Sequence, residues 1–195
     1  MNRRTVDTGT LTIDIGHTAR LLDRATTVGS MELEAPRTGR ALVVIVDDRV
    51  AHGDNPDSAG PLVTELLLEG GFVVDGVVTV AADEVEIRNA LNTAVIGGVD
   101  LVVSVGGTGV SPRDVTPDAT EDVLDHELKG ISEALRSSGL SAGALDAGLS
   151  RGLVGVSGST LVANLASSRA AIRDGMATLT PLAAHVIEAL SRLEE

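Results

Sequence analysis

The fold is decided by one stretch of the chain, residues 101–120, which reads LVVSVGGTGVSPRDVTPDAT. The apolar run Leu101–Val105 predicts a buried strand, and the glycine-rich run at 106–109 that follows it predicts a turn. Thr116 is a favourable N-cap residue and Pro117 suits the first position of a helix. A strand, a glycine turn and a helix start together predict a cradle for an anion, because bare backbone N–H groups and the positive end of a helix meet there.

Three charged residues lie in the same stretch. Arg113 offers a planar fork of donors that suits a phosphate group. Asp114 and Asp118 fit a phosphate cradle poorly, because carboxylates repel phosphate. A hard divalent cation, typically Mg²⁺, would remove this conflict if it lay between them. The stretch is therefore predicted to bind a phosphorylated ligand together with a cation.

Working outward, strand patterns alternate with helical patterns. Strands are predicted at residues 41–46, 72–80, 101–105, 152–156 and 160–164, and helices at 61–69, 84–96, 117–128, 131–138, 168–178 and 181–193. The alternation predicts an α/β fold of three layers, α/β/α, with a mostly parallel central sheet. If the strand order begins 2-1-3, a ligand crevice opens between the strands that end at Val46 and Val105. The polar loop at 47–55 then faces the glycine turn.

Composition excludes several classes of function. The 195 residues carry a formal net charge of −13 and only 1% aromatic residues, which argues against nucleic-acid binding. The absence of cysteine excludes disulfides, thiolate catalysis and cysteine-based zinc sites. No apolar run reaches membrane length and no signal-peptide pattern is present, so we expect a cytoplasmic protein that does not contact membranes.

Residues 1–38 differ from the rest of the chain and are predicted to be an N-terminal extension, with one domain at residues 39–195. The extension is either a loose tail, with Met31 as an alternative start, or an ordered arm that packs on a neighbouring subunit.

Several candidate residues have two interpretations each. Asp83 precedes the helix at 84–96, with Glu86 three positions later, so it either caps that helix or takes part in catalysis at the same sheet edge as the cradle. Asp48 is either a solvated loop residue or a ligand-binding one. Ser150 and Arg151 form either an ordinary turn or a second phosphate contact.

The 106–120 run closely resembles the signature of the MoaB/Mog molybdopterin-binding family, which acts in the biosynthesis of the molybdenum cofactor. The match continues at residues 46–49, 57–61, 83–84, 149–151 and 161–165, in the family's order. The resemblance implies the family's fold and its best-known reaction. In that reaction the terminal phosphate of molybdopterin attacks the α-phosphate of Mg-ATP, which yields adenylyl-molybdopterin and pyrophosphate.

The resemblance also implies roles for individual residues. Asp83 and Asp114 would be the catalytic acidic pair that binds or orients the Mg-nucleotide. Asp48 and Ser168 would lie on the nucleotide side. The residues implied to bind molybdopterin or neighbouring groups are Gly106, Gly107, Thr108, Gly109, Ser111, Arg113, Thr116, Asp118, Ser150, Arg151, Asn164 and Ser167.

The chain departs from the family after Asn164. Relatives usually follow Asn-Leu with Pro-Gly, whereas this chain continues Ala166-Ser167-Ser168-Arg169, which changes the stiffness of a pocket loop. Two functions therefore stay open: a molybdopterin adenylyltransferase, or a carrier or sensor that binds molybdopterin without transferring AMP. The resemblance also implies a homotrimer or homohexamer and contact with other proteins of molybdenum cofactor biosynthesis.

Overall fold

The computed structural model describes residues 38–192, so the predicted extension lies outside the described residues except for Thr38. The strands are β1 (Gly39–Val46), β2 (Phe72–Val80), β3 (Leu101–Val105), β4 (His126–Glu127), β5 (Val154–Ser157) and β6 (Thr160–Leu165). The helices are α1 (Asp48–Ala51), α2 (Ala59–Glu69), α3 (Glu84–Ile96), α4 (Thr116–Glu121), α5 (Lys129–Ser141) and α6 (Arg169–Ser191), with a 3₁₀ turn at Leu145–Leu149.

The strands form one sheet in the order β2-β1-β3-β6-β5-β4. Pairings β1–β2, β1–β3 and β3–β6 are parallel, whereas β5 runs antiparallel to both β6 and β4. The sheet therefore begins in the order 2-1-3, which is the condition under which a crevice was expected between β1 and β3, and the predicted mostly parallel sheet is confirmed.

Alternate residues of β1 enter two separate cores, one on each face of the sheet. Val43 and Ile45 lie in the core that contains Leu67 of α2 and Leu179 of α6. Val44 and Val46 lie in the core that contains Ile87 and Leu91 of α3. Because successive side chains of a strand point to opposite faces, helices cover both sides of the sheet. The three-layer α/β/α arrangement predicted from the alternation is confirmed.

The predicted helix at 117–128 is wrong beyond Glu121. The N–H groups of Asp125 and Leu128 donate to the carbonyls of Val156 (2.8 Å) and Val154 (2.7 Å), so the chain between them adds the short strand β4 to the sheet. The close approach depends on Gly155, where a Cβ would lie 2.5 Å from the carbonyl oxygen of His126. Pairing with a strand that lies about 30 residues later overrides the local helical pattern.

The two predicted C-terminal helices are one. Helix α6 continues through Pro181, which was predicted to be the first residue of a separate helix. Leu179 and Ala183, on either side of the proline, are both fully buried in the same core. Burial on both sides holds the helix together across the missing N–H donor. Among the described helices, none is long and apolar enough to cross a membrane.

The predicted loop at 47–55 contains the short helix α1, which Asp47 caps by accepting from the N–H groups of Arg49 (2.8 Å) and Val50 (3.3 Å). The remaining elements match their predictions to within a few residues, and β2, α3 and β3 match at both ends.

Candidate functional site

A cavity opens where β1 is flanked by its two parallel neighbours. The segments that follow β1, β2 and β3 leave the same edge of the sheet and enclose about 320 Å³. We call it the switch-point cavity; it is lined by Val46, Asp47, Asp48, Arg49, Asn55, Ala82, Gly107, Arg113 and Asp114. The prediction that the loop after β1 faces the glycine turn is thus confirmed.

The glycine turn needs its first two glycines for geometric reasons. Gly106 and Gly107 have φ values of 108° and 62°, a region that side chains rarely adopt. A Cβ on Gly106 would lie 2.3 Å from the carbonyl oxygen of Val46, and one on Gly107 would lie 2.5 Å from Oγ1 of Thr116. The turn therefore passes closer to β1 and α4 than any residue with a side chain allows.

The backbone of the turn has its carbonyl groups occupied and its N–H groups available. The carbonyls of Gly107, Thr108 and Gly109 accept from Thr116 N–H (3.1 Å), Arg151 N–H (2.8 Å) and Arg151 Nε (2.9 Å). Within residues 38–192, the N–H groups of Gly107, Thr108 and Gly109 donate to no protein acceptor. Successive free N–H groups of this kind form a binding site for an anion.

Thr116 has a different role from the predicted N-cap. It is the first residue of α4, which Val115 precedes, and its hydroxyl donates to the carbonyl of Gly106 at 2.8 Å. Thr116 is fully buried, so it locks the turn from beneath. Because α4 is only six residues long, the dipole of this helix adds little to the cradle. The candidate anion site is therefore limited to the turn's own N–H groups.

Asp48 and Arg113 form an ion pair across the switch-point cavity. Nη2 of Arg113 lies 2.5 Å from Oδ2 of Asp48, and Oδ1 of Asp48 accepts from Ala82 N–H at 2.9 Å. The hydrogen bond from Arg113 lowers the pKa of Asp48, and the bond from Ala82 N–H adds to the effect. Asp48 therefore joins three segments that meet at this edge: the loops after β1, β2 and β3.

The two carboxylates that conflicted with a phosphate cradle have protein partners. Oδ2 of Asp114 accepts from Ser111 N–H at 2.8 Å, and a Cβ on Gly109 would lie 2.8 Å from the same oxygen. Asp118 forms a bidentate pair with Arg151, at 3.1 and 3.0 Å. A cation is therefore not needed to explain Asp118, whereas Asp114 lines the switch-point cavity.

Asp83 caps α3, which is one of its two predicted interpretations. Its Oδ1 accepts from the N–H groups of Val85 (2.9 Å) and Glu86 (3.1 Å). Ala82, the preceding residue, lines the switch-point cavity, and Asp83 itself is not among the lining residues. Its second oxygen, Oδ2, has no hydrogen-bond donor among residues 38–192 and is available to a ligand.

The described residues contain no cluster of three or more His, Asp or Glu side chains that could hold a metal ion alone. Mg²⁺ usually binds through one or two carboxylates together with substrate phosphates and water. The carboxylates of Asp47 and Asp114 in the cavity wall match that donor set. A magnesium ion would therefore need phosphate oxygens from the ligand as additional donors.

A second cavity, of about 340 Å³, lies between α5, the 3₁₀ turn and the start of α6. We call it the helix cavity; its polar lining is Ser132, Arg136, Asp146, Ser150, Asn164, Ser167, Ser168 and Asp174. Ser168 caps the 23-residue helix α6 by accepting from Ala171 N–H at 3.2 Å. The Ala166–Arg169 segment, where the chain departs from the family pattern, forms part of this wall.

Asn164 is held by the protein itself. Its Nδ2 donates to Ser104 Oγ (2.8 Å) and Thr120 Oγ1 (3.0 Å), and its Oδ1 accepts from Leu153 N–H (3.0 Å). Both amide hydrogens are therefore used, and the residue is only 3% exposed. Its side chain joins β3, α4 and the segment before β5.

The structure thus divides the predicted site residues between two cavities. Asp48, Gly107, Arg113 and Asp114 line the first, and Ser150, Asn164, Ser167 and Ser168 line the second. The other predicted site residues line neither cavity and lie in neighbouring parts of the same loops and turns: Asp83, Gly106, Thr108, Gly109, Ser111, Thr116, Asp118 and Arg151.

Sequence reasoning missed several polar residues of the walls: Asn55, Ser132, Arg136, Asp146 and Asp174. Two of them show why. Asn55 lines the switch-point cavity and Arg136 the helix cavity. Asn55 lies in the polar loop at 47–55, which was expected to face the crevice. The sequence therefore indicated the loop, but it gave no reason to select Asn55 within it. Arg136 lies on α5 and donates to the carbonyl of Gly152 (3.1 Å), a contact that helical spacing does not indicate.

A mostly parallel α/β sheet with a glycine turn at its switch point is typical of proteins that bind phosphorylated ligands. Residues 42–185 match the family described as a probable molybdopterin-binding domain. The chain belongs to this family, and the resemblance to MoaB/Mog proteins is confirmed.

Individual relatives agree with this assignment. The solved structure of a molybdopterin biosynthesis protein from Mycobacterium abscessus is 70% identical, with a TM-score of 0.79 over 81% of this chain and 99% of that one. A molybdopterin adenylyltransferase from Pyrococcus furiosus is 39% identical over 49% of this chain and 56% of its own length. A molybdenum cofactor biosynthesis bifunctional protein from Synechococcus elongatus is 35% identical over 77% of this chain. The chain spans 47% of the length of that bifunctional relative.

Proposed function

We propose that this protein is a molybdopterin adenylyltransferase. It would join the terminal phosphate of molybdopterin to the α-phosphate of ATP. In this reaction a phosphate oxygen of molybdopterin forms a bond to the α-phosphorus, and the bond from that phosphorus to the bridging oxygen of the leaving group breaks. The products are adenylyl-molybdopterin and pyrophosphate. A relative named for this activity supports the proposal.

One observation supports the proposal: the glycine turn lines one cavity and is hydrogen-bonded to Arg151, whose two chain neighbours line a second cavity of similar volume. Gly107 and Asp114 of the turn segment line the switch-point cavity, and Arg151, which contacts the turn, lies between two residues that line the helix cavity, Ser150 and Gly152. Two anionic substrates, one in each cavity, would present their phosphates to the same row of free N–H groups. Transfer between two anions depends on such positioning and on neutralising charge.

The chain's residues would divide this work. The N–H groups of Gly107, Thr108 and Gly109 would hold a phosphate, with Arg113 beside them. Asp114, with Asp47 in the same cavity wall, would bind or orient the Mg-nucleotide. Asp83 would contribute Oδ2, which has no donor among residues 38–192, from the start of α3. Mg²⁺ supplies positive charge to the phosphate oxygens when it is bound. Ser150, Ser167 and Ser168 would offer hydroxyl groups on the side of the helix cavity.

The test is the reaction itself, with Asp114→Asn as the variant. Asparagine keeps an oxygen that can accept from Ser111 N–H, so the fold is expected to survive and only the charge is lost. We expect adenylyl-molybdopterin formation from molybdopterin and Mg-ATP to fall by about 100-fold or more. Molybdopterin binding, measured by calorimetry, should change by less than about threefold.

The matched control is Asp122→Asn, which removes a carboxylate paired with Arg88 (2.9 Å) on the same stretch of chain. It should react at the wild-type rate. A fully active Asp114→Asn variant would contradict the assigned role of Asp114.

The second candidate function is a molybdopterin carrier or sensor without AMP transfer. The Ala166–Arg169 segment favours it, because this wall of the helix cavity lacks the family's proline and glycine. Tight Mg-ATP binding in calorimetry, followed by turnover, decides against it. Molybdopterin binding with no ATP binding and no turnover decides for it.

The proposal includes a homotrimer or homohexamer, a cytoplasmic location and contact with other proteins of molybdenum cofactor biosynthesis. Exposed apolar side chains such as Ile96 (86% exposed) and Leu145 (82%) are compatible with subunit contacts. Sedimentation analysis of the purified protein would distinguish three subunits from six.

A further inference from the structure

Arg151 donates three hydrogen bonds to backbone carbonyls of residues 108–114, more than any other described residue outside residues 106–120. Its backbone N–H donates to the carbonyl of Thr108 at 2.8 Å, and its Nε donates to that of Gly109 at 2.9 Å. Its Nη2 also donates to the backbone carbonyl of Asp114. One residue therefore contacts the second half of the turn and the backbone of Asp114 beyond it, about 40 positions away in sequence.

The guanidinium group of Arg151 is held in place by Asp118. Nη1 and Nη2 donate to the two carboxylate oxygens of Asp118 at 3.1 and 3.0 Å, a bidentate geometry. The side chains of Arg151 and Asp118 are 42% and 48% exposed. Four of the five N–H donors of the guanidinium thus have protein partners, and one N–H of Nη1 has none among residues 38–192. The two donors that could form a fork with a phosphate are therefore already engaged by Asp118.

We infer that Arg151 is a positioning residue of the glycine turn, held by Asp118, and that it does not contact substrate. This inference rests on the proposed function, since it assigns a role within that site. By engaging the carbonyls of Thr108, Gly109 and Asp114, Arg151 keeps the N–H groups of the turn free for a phosphate. It also fixes the backbone that carries the carboxylate of Asp114.

The two roles of Arg151 make opposite predictions for Asp118→Asn. A substrate-binding arginine would be released by this change and would bind phosphate as well as before or better. A positioning arginine would lose the group that holds it, so the turn would lose its fixed geometry. Asp118→Asn should then have the same effect as Arg151→Met.

The experiment measures kcat, and KM for molybdopterin, in Asp118→Asn, Arg151→Met and the double variant. We expect each single variant to lower kcat by about 10- to 100-fold, because small displacements of positioned groups cost that much. KM for molybdopterin should change in the same direction and by a similar factor in Asp118→Asn and Arg151→Met, because both changes release the same turn. The double variant should be no worse than the worse single variant, since both changes break one unit.

The control is Asp122→Asn. It removes a carboxylate four positions after Asp118, one that pairs with Arg88 and not with Arg151, and it should keep wild-type kcat. Wild-type kcat in Asp118→Asn, or a raised KM in Arg151→Met alone, would overturn the inference.

A second measurement does not depend on activity. The N–H groups of Thr116 and Arg151 are hydrogen-bonded to the turn, so their exchange with solvent reports its geometry. In protein without substrate, we expect both amides to exchange about tenfold faster in Asp118→Asn than in wild type and to be unchanged in Asp122→Asn. Unchanged exchange in Asp118→Asn would refute the positioning role.

This readout separates the two proposals. If the protein forms no adenylyl-molybdopterin, the proposed function fails, whereas the exchange measurement still tests Arg151. Arg151→Lys is the reserve variant should Arg151→Met fail to fold. Lysine cannot reproduce the bidentate fork, so it should also speed exchange.

Discussion

Replacing Asn164 with alanine should destabilise the protein strongly, although the residue lines the helix cavity. The amide makes three internal hydrogen bonds, at 2.8, 3.0 and 3.0 Å, and is 3% exposed. Alanine removes all three and leaves the N–H of Leu153 without its partner. The main effect of the change is therefore on the contacts that join β3, α4 and the segment preceding β5, and any effect on ligand binding is secondary.

The magnitude follows from the number of bonds. Each neutral internal hydrogen bond contributes about 1 kcal/mol net, so the three together contribute about 3 kcal/mol. A buried donor left unpaired adds to this loss. We expect the free energy of unfolding to fall by about 3 kcal/mol, a large part of the stability of a typical domain.

Urea denaturation followed by circular dichroism, at one fixed protein concentration, measures this change. Asn89→Ala is the control: Asn89 is exposed on α3, and its side chain makes no hydrogen bond within residues 38–192. Its unfolding free energy should stay within about 0.5 kcal/mol of wild type. A loss below about 1 kcal/mol in Asn164→Ala would refute the view of Asn164 as a structural residue.

Three further predictions concern stability. Gly106→Ala should lower Tm by more than about 5 °C in a thermal scan, because the new Cβ would lie 2.3 Å from the carbonyl oxygen of Val46 at a φ of 108°. Gly130→Ala, in the first turn of α5 with nothing within 4 Å of the added Cβ, should raise the unfolding free energy by about 0.5 kcal/mol; a decrease would contradict this. The hydrogen bond from Arg151 lowers the pKa of Asp118, so the pair stabilises the fold above the unfolded pKa of about 4 and loses this contribution as pH falls through the lower, folded value. Urea midpoints of wild type and Asp118→Asn should therefore differ at pH 7 and converge towards pH 2, whereas a constant difference would contradict the assignment.

Local patterns were sufficient to predict most elements of the fold. Helix α3 was predicted at both ends because Asp83 marks its start and a glycine pair, at 97 and 98, marks its end. The alternation of strands and helices predicted a mostly parallel sheet, in which the segments after β1 and β3 leave the same edge. The continuous apolar run at 41–46 predicted a buried strand, and the structure has a core on each face of it.

Long-range contacts decided the parts that sequence reasoning missed. Strand β4 exists because the chain after α4 pairs with β5, and α6 passes through Pro181 because both sides of the proline are buried. Long-range contacts also decide the roles of the aspartates in the candidate site. The two aspartates of the glycine segment look equivalent in sequence, yet Asp114 lines a cavity and Asp118 pairs with Arg151.

The sequence by itself determined the family, the α/β class and the place of the glycine turn, because each depends on residues that are neighbours in the chain or that repeat at a fixed period. Only the tertiary structure decided which polar side chains are available to a ligand. Asn164, Asp118 and Arg151 are held by residues 33 to 60 positions away. Such partners are brought together by the packing of the sheet and its helices, and no local pattern specifies them.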